Sequence, residues 1–223
     1  TLEIEGKTFT GEIVNGTINV YDADLTPGYH NVTLIYDGDD KYAPRVTDME
    51  IYVENMAIIS APDVTKYFSG PERFYVYLVD LEGKGVANAT ISIIINGITY
   101  TRYTNESGVA SLALNLNSGN YTVSVIFEGN DEFEATGTVA IVDVRPTIYA
   151  NDVFKVFRNG TQYYALFLDG EGNPLVNTDV SFNIHGVFYT RTTNGSGVAK
   201  LNMNLEEGEY ILTAINPVTG EMR

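Results

Sequence analysis

Apolar and polar residues alternate with period two through the middle of the chain. The alternation is clearest in Phe74 to Asp80, Thr90 to Ile95, Ile98 to Arg102, Val109 to Leu114, Tyr121 to Phe127 and Thr136 to Val142. Each run is rich in the β-branched and aromatic residues that suit a pleated, half-buried surface. A shorter run from Val64 to Phe68 makes seven. Turn residues separate the runs, and no amphipathic helical pattern of useful length competes with them. The pattern therefore predicts an all-β chain folded as antiparallel β-sandwiches. Asn96-Gly97 lies between two runs as a two-residue hairpin signal, because both central residues of a type I′ turn need positive φ. His185-Gly186 and Glu5-Gly6 hold the same place elsewhere.

Those recurrences belong to an internal repeat. The stretch from Asp63 to Tyr121 slides onto Asp152 to Tyr210 without insertion, at an offset of 89 residues. It matches Lys66 with Lys155, Asp80 with Asp169, Gly83 with Gly172, Asn88 with Asn177 and Gly97 with Gly186. The densest match sets TRYTNESGVASLALNL (101–116) against TRTTNGSGVAKLNMNL (190–205). A fainter third copy lies at the front, where Leu25, Gly28 and Tyr29 echo Leu116, Gly119 and Tyr121. In that motif the glycine admits a left-handed turn and the tyrosine reaches back to bond the backbone upstream. The repeat divides the chain into modules at 1–55, 56–145 and 146–223. Strand patterns stop for only a few residues at the boundaries, near Asn55 and Arg145-Pro146, so the linkers are too short to act as flexible coils and a semi-rigid rod is expected.

By the same register only the middle module is whole. The first is expected to lack its opening strands, and the last to stop at Arg223, opposite Glu134, before its closing strand. An incomplete sandwich leaves an apolar face and an open edge. Residues beyond the sequence, or strand exchange with a second copy, would complete it. Thr1 opens directly into a strand-like pattern without a signal peptide, so the sequence reads as an interior piece whose export signal and envelope attachment lie in segments not shown.

Composition narrows the function classes. The formal net charge is −16 over 223 residues, which repels nucleic acid phosphates and anionic membrane surfaces, so no nucleic acid partner is expected. There is no cysteine, hence neither a disulfide framework nor a thiolate zinc site. No apolar run approaches the roughly 20 residues that a membrane helix needs. Catalysis needs a base converging with a nucleophile or metal. The only histidines are His30, at a strand start, and His185, in a hairpin turn. No phosphate-binding loop, HExxH or GxSxG is present, and the chain is read as a non-enzyme without a resident cofactor.

Four groups of residues carry candidate chemistry. The acidic turns Asp37-Gly-Asp-Asp40 and Glu128-Gly-Asn-Asp-Glu132 offer oxygens to calcium, although neither has EF-hand spacing and a solvated hairpin turn explains both. Asn-x-Ser/Thr sequons occur at Asn15, Asn31, Asn88, Asn105, Asn120, Asn159 and Asn194. Chance in so Asn- and Thr-rich a chain supplies about half as many. Asn105 and Asn194, in matching turns, are expected to be the most accessible for glycosylation. Lys66 and Lys155 recur in a lysine-poor chain, with Asp80/Asp169 and Asn88/Asn177 also recurring, which supplies the components of an isopeptide cross-link from Lys to Asn or Asp. The alternative is an edge-strand lysine that blocks unwanted strand pairing. Arg102 and Arg191 recur in a Tyr-Thr-Arg strand among many acids, and surface ion pairs are expected there.

NGITYTRYTNESGVASLALNLNSGNYTVSVIF and HGVFYTRTTNGSGVAKLNMNLEEGEYILTAINPVTGE resemble the immunoglobulin-like repeats of adhesin-like surface proteins in methanogenic archaea. The first module, with TPGYHNVTLIYDGDDKYAP, is similar to related bacterial-type Ig-like repeats. The resemblance spans essentially the whole chain. It implies tandem immunoglobulin-like sandwiches in a large extracellular protein attached to the cell envelope, with a surface glycan or protein of another cell as partner. It carries over no catalytic residue. Two functional readings follow, a stalk of repeats that gives reach and attachment, and a binding module whose own loops or exposed tyrosines stack on carbohydrate.

Overall fold

The alternating runs become strands. A computed structural model describes residues 1–20 and 25–223, and every regular element among them is a β-strand. The chain divides into two compact units, one of Thr1–Ala57 with Glu128–Thr136 and one of Ile58–Phe127 with Gly137–Arg223.

The first unit contains β1 (Leu2–Ile4), β2 (Lys7–Phe9), β3 (Gly28–Tyr36) and β4 (Arg45–Val53), joined in the order β2-β1-β3-β4. The β1–β2 hairpin turns on Glu5 and Gly6 at φ 47° and 76°. Val32 and Ile4 are buried, whereas most of β4 is exposed. Segment 128–136 belongs to this unit through a bond from Glu134 N–H to the Asn55 carbonyl (3.0 Å).

The second unit contains two sets of sheets, one from strands within 57–145 and one from strands within 146–223, called below the middle and third modules. In the middle module, β5 (Ala57–Ser60), β6 (Val64–Tyr67), β7 (Arg73–Asp80), β8 (Thr90–Ile95), β9 (Ile98–Tyr103), β10 (Val109–Ala113), β11 (Gly119–Phe127) and β12 (Thr136–Arg145) make two facing sheets. Their orders are β10-β7-β5 and β6-β12-β11-β8-β9. Alternate residues point inward, so Phe74, Val76 and Leu78 from one sheet meet Ile91, Ile93, Val123, Val125 and Val142 from the other, all fully buried. The strand β5 escaped the sequence pattern because four residues carry too little alternation to register.

The third module repeats this plan with β13 (Ile148–Ala150), β14 (Gln162–Phe167), β15 (Asp179–Ile184), β16 (Val187–Thr192), β17 (Val198–Asn202) and β18 (Leu212–Ile215), in sheets β13-β14-β17 and β16-β15-β18. The 89-residue register placed Arg223 ahead of any closing strand. Instead a tight turn over 216–220 brings residues 221–223 alongside β18, where Ala214 and Arg223 exchange two backbone bonds (2.7 and 3.0 Å) and Met222 bridges Ile215. The turn is short because the Asn216 side-chain oxygen accepts the amides of Val218 and Thr219.

The residues matched across copies are mostly turn builders. Asp80 accepts the amides of Glu82 and Lys84, and Asp169 those of Glu171 and Asn173, at 2.8–3.0 Å. Asn88 and Asn177 hold positive φ (55° and 49°). Tyr121 and Tyr210 donate their hydroxyls to the carbonyls of Asn117 and Glu206, each four residues upstream (2.8 and 3.1 Å). In the first module the sequence pairing of Tyr29 with Tyr121 is corrected. His30 takes the corner, with Nε2 2.5 Å from the Thr26 carbonyl oxygen, while Tyr29 is exposed and packs on Tyr52.

Candidate functional site

Buried polar side chains converge at the joint between the middle and third modules. The strand β12 ends at Arg145, Pro146 follows, and Thr147 opens the next module as a fully buried residue. Pro146 supplies no amide donor and fixes its own φ, which stiffens the crossing. Thr147 is gripped from several sides. Its amide and its hydroxyl both donate to one carboxylate oxygen of Glu221, the hydroxyl at 2.7 Å, and the hydroxyl also meets Thr219 Oγ1 at 2.8 Å. The Thr147 carbonyl accepts the Leu168 amide (2.8 Å). Asn216, fully buried, donates to the Leu168 carbonyl (2.7 Å) and to the Thr147 hydroxyl (3.2 Å).

Glu221 carries this network across the joint. Its second carboxylate oxygen accepts the hydroxyl of Ser118, a residue of the middle module. Glu221 is 6% exposed, so the carboxylate is taken from water and satisfied by hydroxyls and an amide rather than by a cation. No buried side-chain polar atom lacks a partner among the described residues. Apolar closeness adds to the polar grip. A Cβ on Gly172 would lie 2.3 Å from the Tyr67 ring, and one on Gly70 would lie 2.5 Å from the Gly170 carbonyl oxygen, so the two modules meet with no room for a side chain at either point. Beside them the Arg145 guanidinium is held further above its ordinary pKa by the Tyr67 hydroxyl and by Asp143. The sequence pattern gave no sign of Thr147, Asn216 or Glu221, whose meeting spans about seventy residues and follows no motif.

The other candidate residues do not converge. Lys66 is 3% exposed, and its amine donates to the carbonyls of Gly70 (2.7 Å) and Leu114 (2.9 Å). Burial lowers its pKa from the ordinary lysine value. Lys155 makes the matching bond to the Met203 carbonyl (2.5 Å). Neither Asp80 nor Asn88 is a partner of Lys66. In the acidic turns, the side-chain oxygens of Asp39 and Asn130 accept backbone amides two and three residues on, which builds the turn. The Tyr36 hydroxyl, followed by the Lys41 and Tyr42 amides, lowers the Asp39 pKa. Among the described residues no group of three or more His, Cys, Asp or Glu is placed to hold a metal ion.

All seven sequon asparagines are exposed. Asn105 and Asn194 each use their side-chain oxygen to accept two backbone amides of the Asn-x-Ser-Gly turn. Among the described residues Arg102 and Arg191 make none of the ion pairs expected of them. Each guanidinium donates to the preceding carbonyl, Thr101 or Thr190, because the cross-strand neighbours are the apolar Ile91 and Val180. Exposed tyrosines do gather on the outer faces of the β10-β7-β5 and β13-β14-β17 sheets, as Tyr75 and Tyr77 in the middle module and Tyr149 and Tyr164 in the third. Among the described residues no helix is long and apolar enough to cross a membrane.

No family model matches the chain, and neither does any curated protein. Solved structures similar to it include a Ca2+-stabilised adhesin with which an Antarctic bacterium binds ice (14% identity, 100% of this chain and 61% of that one, TM-score 0.30). A 1.5-MDa bacterial ice-binding adhesin (13% identity, 89% and 72%, TM-score 0.31) and the Yersinia pseudotuberculosis adhesin InvE (18%, 74% and 56%, TM-score 0.29) are similar too. The chain thus spans about three fifths of the first of these structures. At such scores the likeness carries nothing about what this chain binds.

Proposed function

We propose that this chain is a stalk segment of an extracellular, envelope-attached adhesin, in which tandem immunoglobulin-like modules supply reach and attachment to other cells or surfaces. The joint carries the reading. A hinge leaves its linker solvated and mobile, whereas here Thr147, Asn216 and Glu221 are buried at the junction and Gly70, Gly170 and Gly172 admit close contact between modules. That construction suits a spacer that holds its direction. The sequence resemblance supports the adhesin setting and the archaeal origin, and the exposed sequons suit N-glycosylation of a rod in contact with the surroundings.

The test uses the absence of cysteine. Spin labels on single cysteines introduced in the middle and third modules should give one narrow distance distribution, which broadens when Glu221→Ala and Ser118→Ala remove the crossing bond. A broad distribution in the unaltered chain would overturn the spacer reading.

The exposed Tyr75 and Tyr77 favour a second reading, recognition of carbohydrate by stacking on the outer sheet face. A glycan array probed with the whole chain separates the two. Binding lost on Tyr75→Ala with Tyr77→Ala supports the second, and no binding leaves adhesion to other parts of the protein.

A further inference from the structure

The sheet β13-β14-β17 carries a cavity of about 360 Å³, lined by Tyr149, Tyr164, Leu166, Val198 and Arg223 among others. Its size suits a small ligand. The ladder explains why these side chains meet. Tyr149 pairs with Leu166 and Leu166 with Val198, while Tyr164 pairs with Lys200, so the two tyrosines are diagonal neighbours and Lys200 stands beside the second. Tyr149, Tyr164 and Lys200 are all exposed. The Tyr164 hydroxyl donates to the Gln162 side-chain oxygen (2.8 Å), which restrains that ring. Arg223 reaches the same place from the tail beside β18, where two backbone bonds to Ala214 pin it.

Charge sets this face apart from the rest of the chain. The protein carries a net charge of −16, yet Lys200 and Arg223 flank the tyrosines, and among the described residues neither forms an ion pair. Burial, then the Tyr67 hydroxyl, raises the Tyr149 pKa, and the charges of Arg145 and Arg223 oppose the rise, so both guanidinium groups are felt at that ring. The repeat shows that the fold does not need these residues. At the offset of 89, Ser60 stands where the third module has Tyr149, and Ser111 where it has Lys200. Ser111 pairs with Tyr75 as Lys200 pairs with Tyr164, so the same sheet forms without the cation. In the middle module Arg73 is bonded to the Ser111 hydroxyl (3.1 Å).

We propose that this face binds an acidic polysaccharide, with Tyr149 and Tyr164 stacking on sugar rings and Arg223 and Lys200 pairing with their carboxylates. The apolar face of a sugar ring suits a tyrosine, and the planar guanidinium of Arg223 matches a carboxylate in two parallel bonds. A neutral glycan would leave both cations unmatched. The proposal rests on recognition of carbohydrate by stacking, but it places the site in the third module rather than at Tyr75 and Tyr77.

Calorimetric titration of the full chain with oligogalacturonate and with its methyl ester tests it, because the two share their rings and differ in charge. The oligogalacturonate should bind, and the ester should bind roughly tenfold more weakly. Tyr164→Leu should weaken oligogalacturonate binding by roughly tenfold, and so should Lys200→Gln combined with Arg223→Gln, with the thermal midpoint unchanged. Tyr75→Ala with Tyr77→Ala should leave the affinity as it was. No binding of oligogalacturonate overturns the proposal, as does equal binding of the ester. Binding lost only on Tyr75→Ala with Tyr77→Ala overturns the site in the third module and leaves carbohydrate recognition standing in the middle one.

Discussion

The middle and third modules match in register at an offset of 89 and close in different ways. Val64-Thr-Lys-Tyr67 and Val153-Phe-Lys-Val156 are equivalent segments. The first is a strand because β12 lies beside it, while the second has no strand partner among the described residues and leaves Phe154 93% exposed. A cavity of about 970 Å³ opens there, lined by Lys155, Tyr163, Leu205 and Tyr210 among others. The lysine bond is nevertheless kept, from Lys66 to Leu114 and from Lys155 to Met203. The difference teaches that strand formation in this segment comes from its tertiary partner, whereas the lysine anchor is local to the sandwich edge and survives without it.

Core truncation should break the symmetry most strongly. Phe74 is fully buried, and Tyr163 is its equivalent on the cavity side of the third module, packed edge-on to Phe182 with ring centroids 5.8 Å apart. Phe74→Ala leaves a void that closed walls cannot fill and should destabilise by about 3–5 kcal/mol. Tyr163→Ala enlarges a space already open to solvent and should lose less. Hydrogen exchange read separately in β7 and β14 checks this. Equal losses would mean that the open side has no energetic consequence.

A glycine pair isolates the joint. Gly83 and Gly172 sit in the same turn at φ 84° and 87°, but a Cβ meets nothing within 4 Å at Gly83 and the Tyr67 ring at Gly172. Gly83→Ala should therefore show only the left-handed backbone penalty, about 1–2 kcal/mol. Gly172→Ala should show that penalty plus the displacement of Tyr67, and Tyr67→Ala should bring the two glycines level. Denaturation midpoints of the two glycine variants, each with and without Tyr67→Ala, measure the difference, and a Gly172 effect no larger than that of Gly83 would remove Tyr67 from the joint.

How far the sequence reached follows from the range of each interaction. Hairpin turns at Glu5, Asn96 and His185 were legible because positive φ is a demand on one or two residues, and all three have it (47°, 51° and 50°). Strands were legible because alternation is local, with ends displaced by a few residues. The matched Asp80 and Asn88 were visible as repeats, but their pattern fits turn building as well as cross-link chemistry, and only the bonds of Lys66 separate the two. Glu221 was invisible, since a polar residue satisfied by Thr147 and Ser118 leaves no periodic trace.

The smallest expected effect concerns the corner, where the repeats again differ by one residue. Tyr121 and Tyr210 close it with a hydroxyl, whereas His30 closes it with a ring nitrogen and presents the other nitrogen to Glu5 Oε1 at 2.7 Å. Both partners are acceptors, so the doubly protonated imidazolium satisfies both contacts. The Thr26 carbonyl, then Glu5, raises the His30 pKa against an opposing effect of desolvation. A raised pKa in the folded state means that the stabilisation is fully present below the ordinary histidine value near 6.5 and is lost as pH rises through the folded value. Amide exchange in β3 should therefore quicken as pH rises through that window, after correction for intrinsic rates, while β11 and β18 stay unchanged. His30→Tyr should abolish the pH dependence and keep the bond to Thr26, which makes the first corner behave like the other two. A pH dependence that persists in His30→Tyr would place its origin outside the corner.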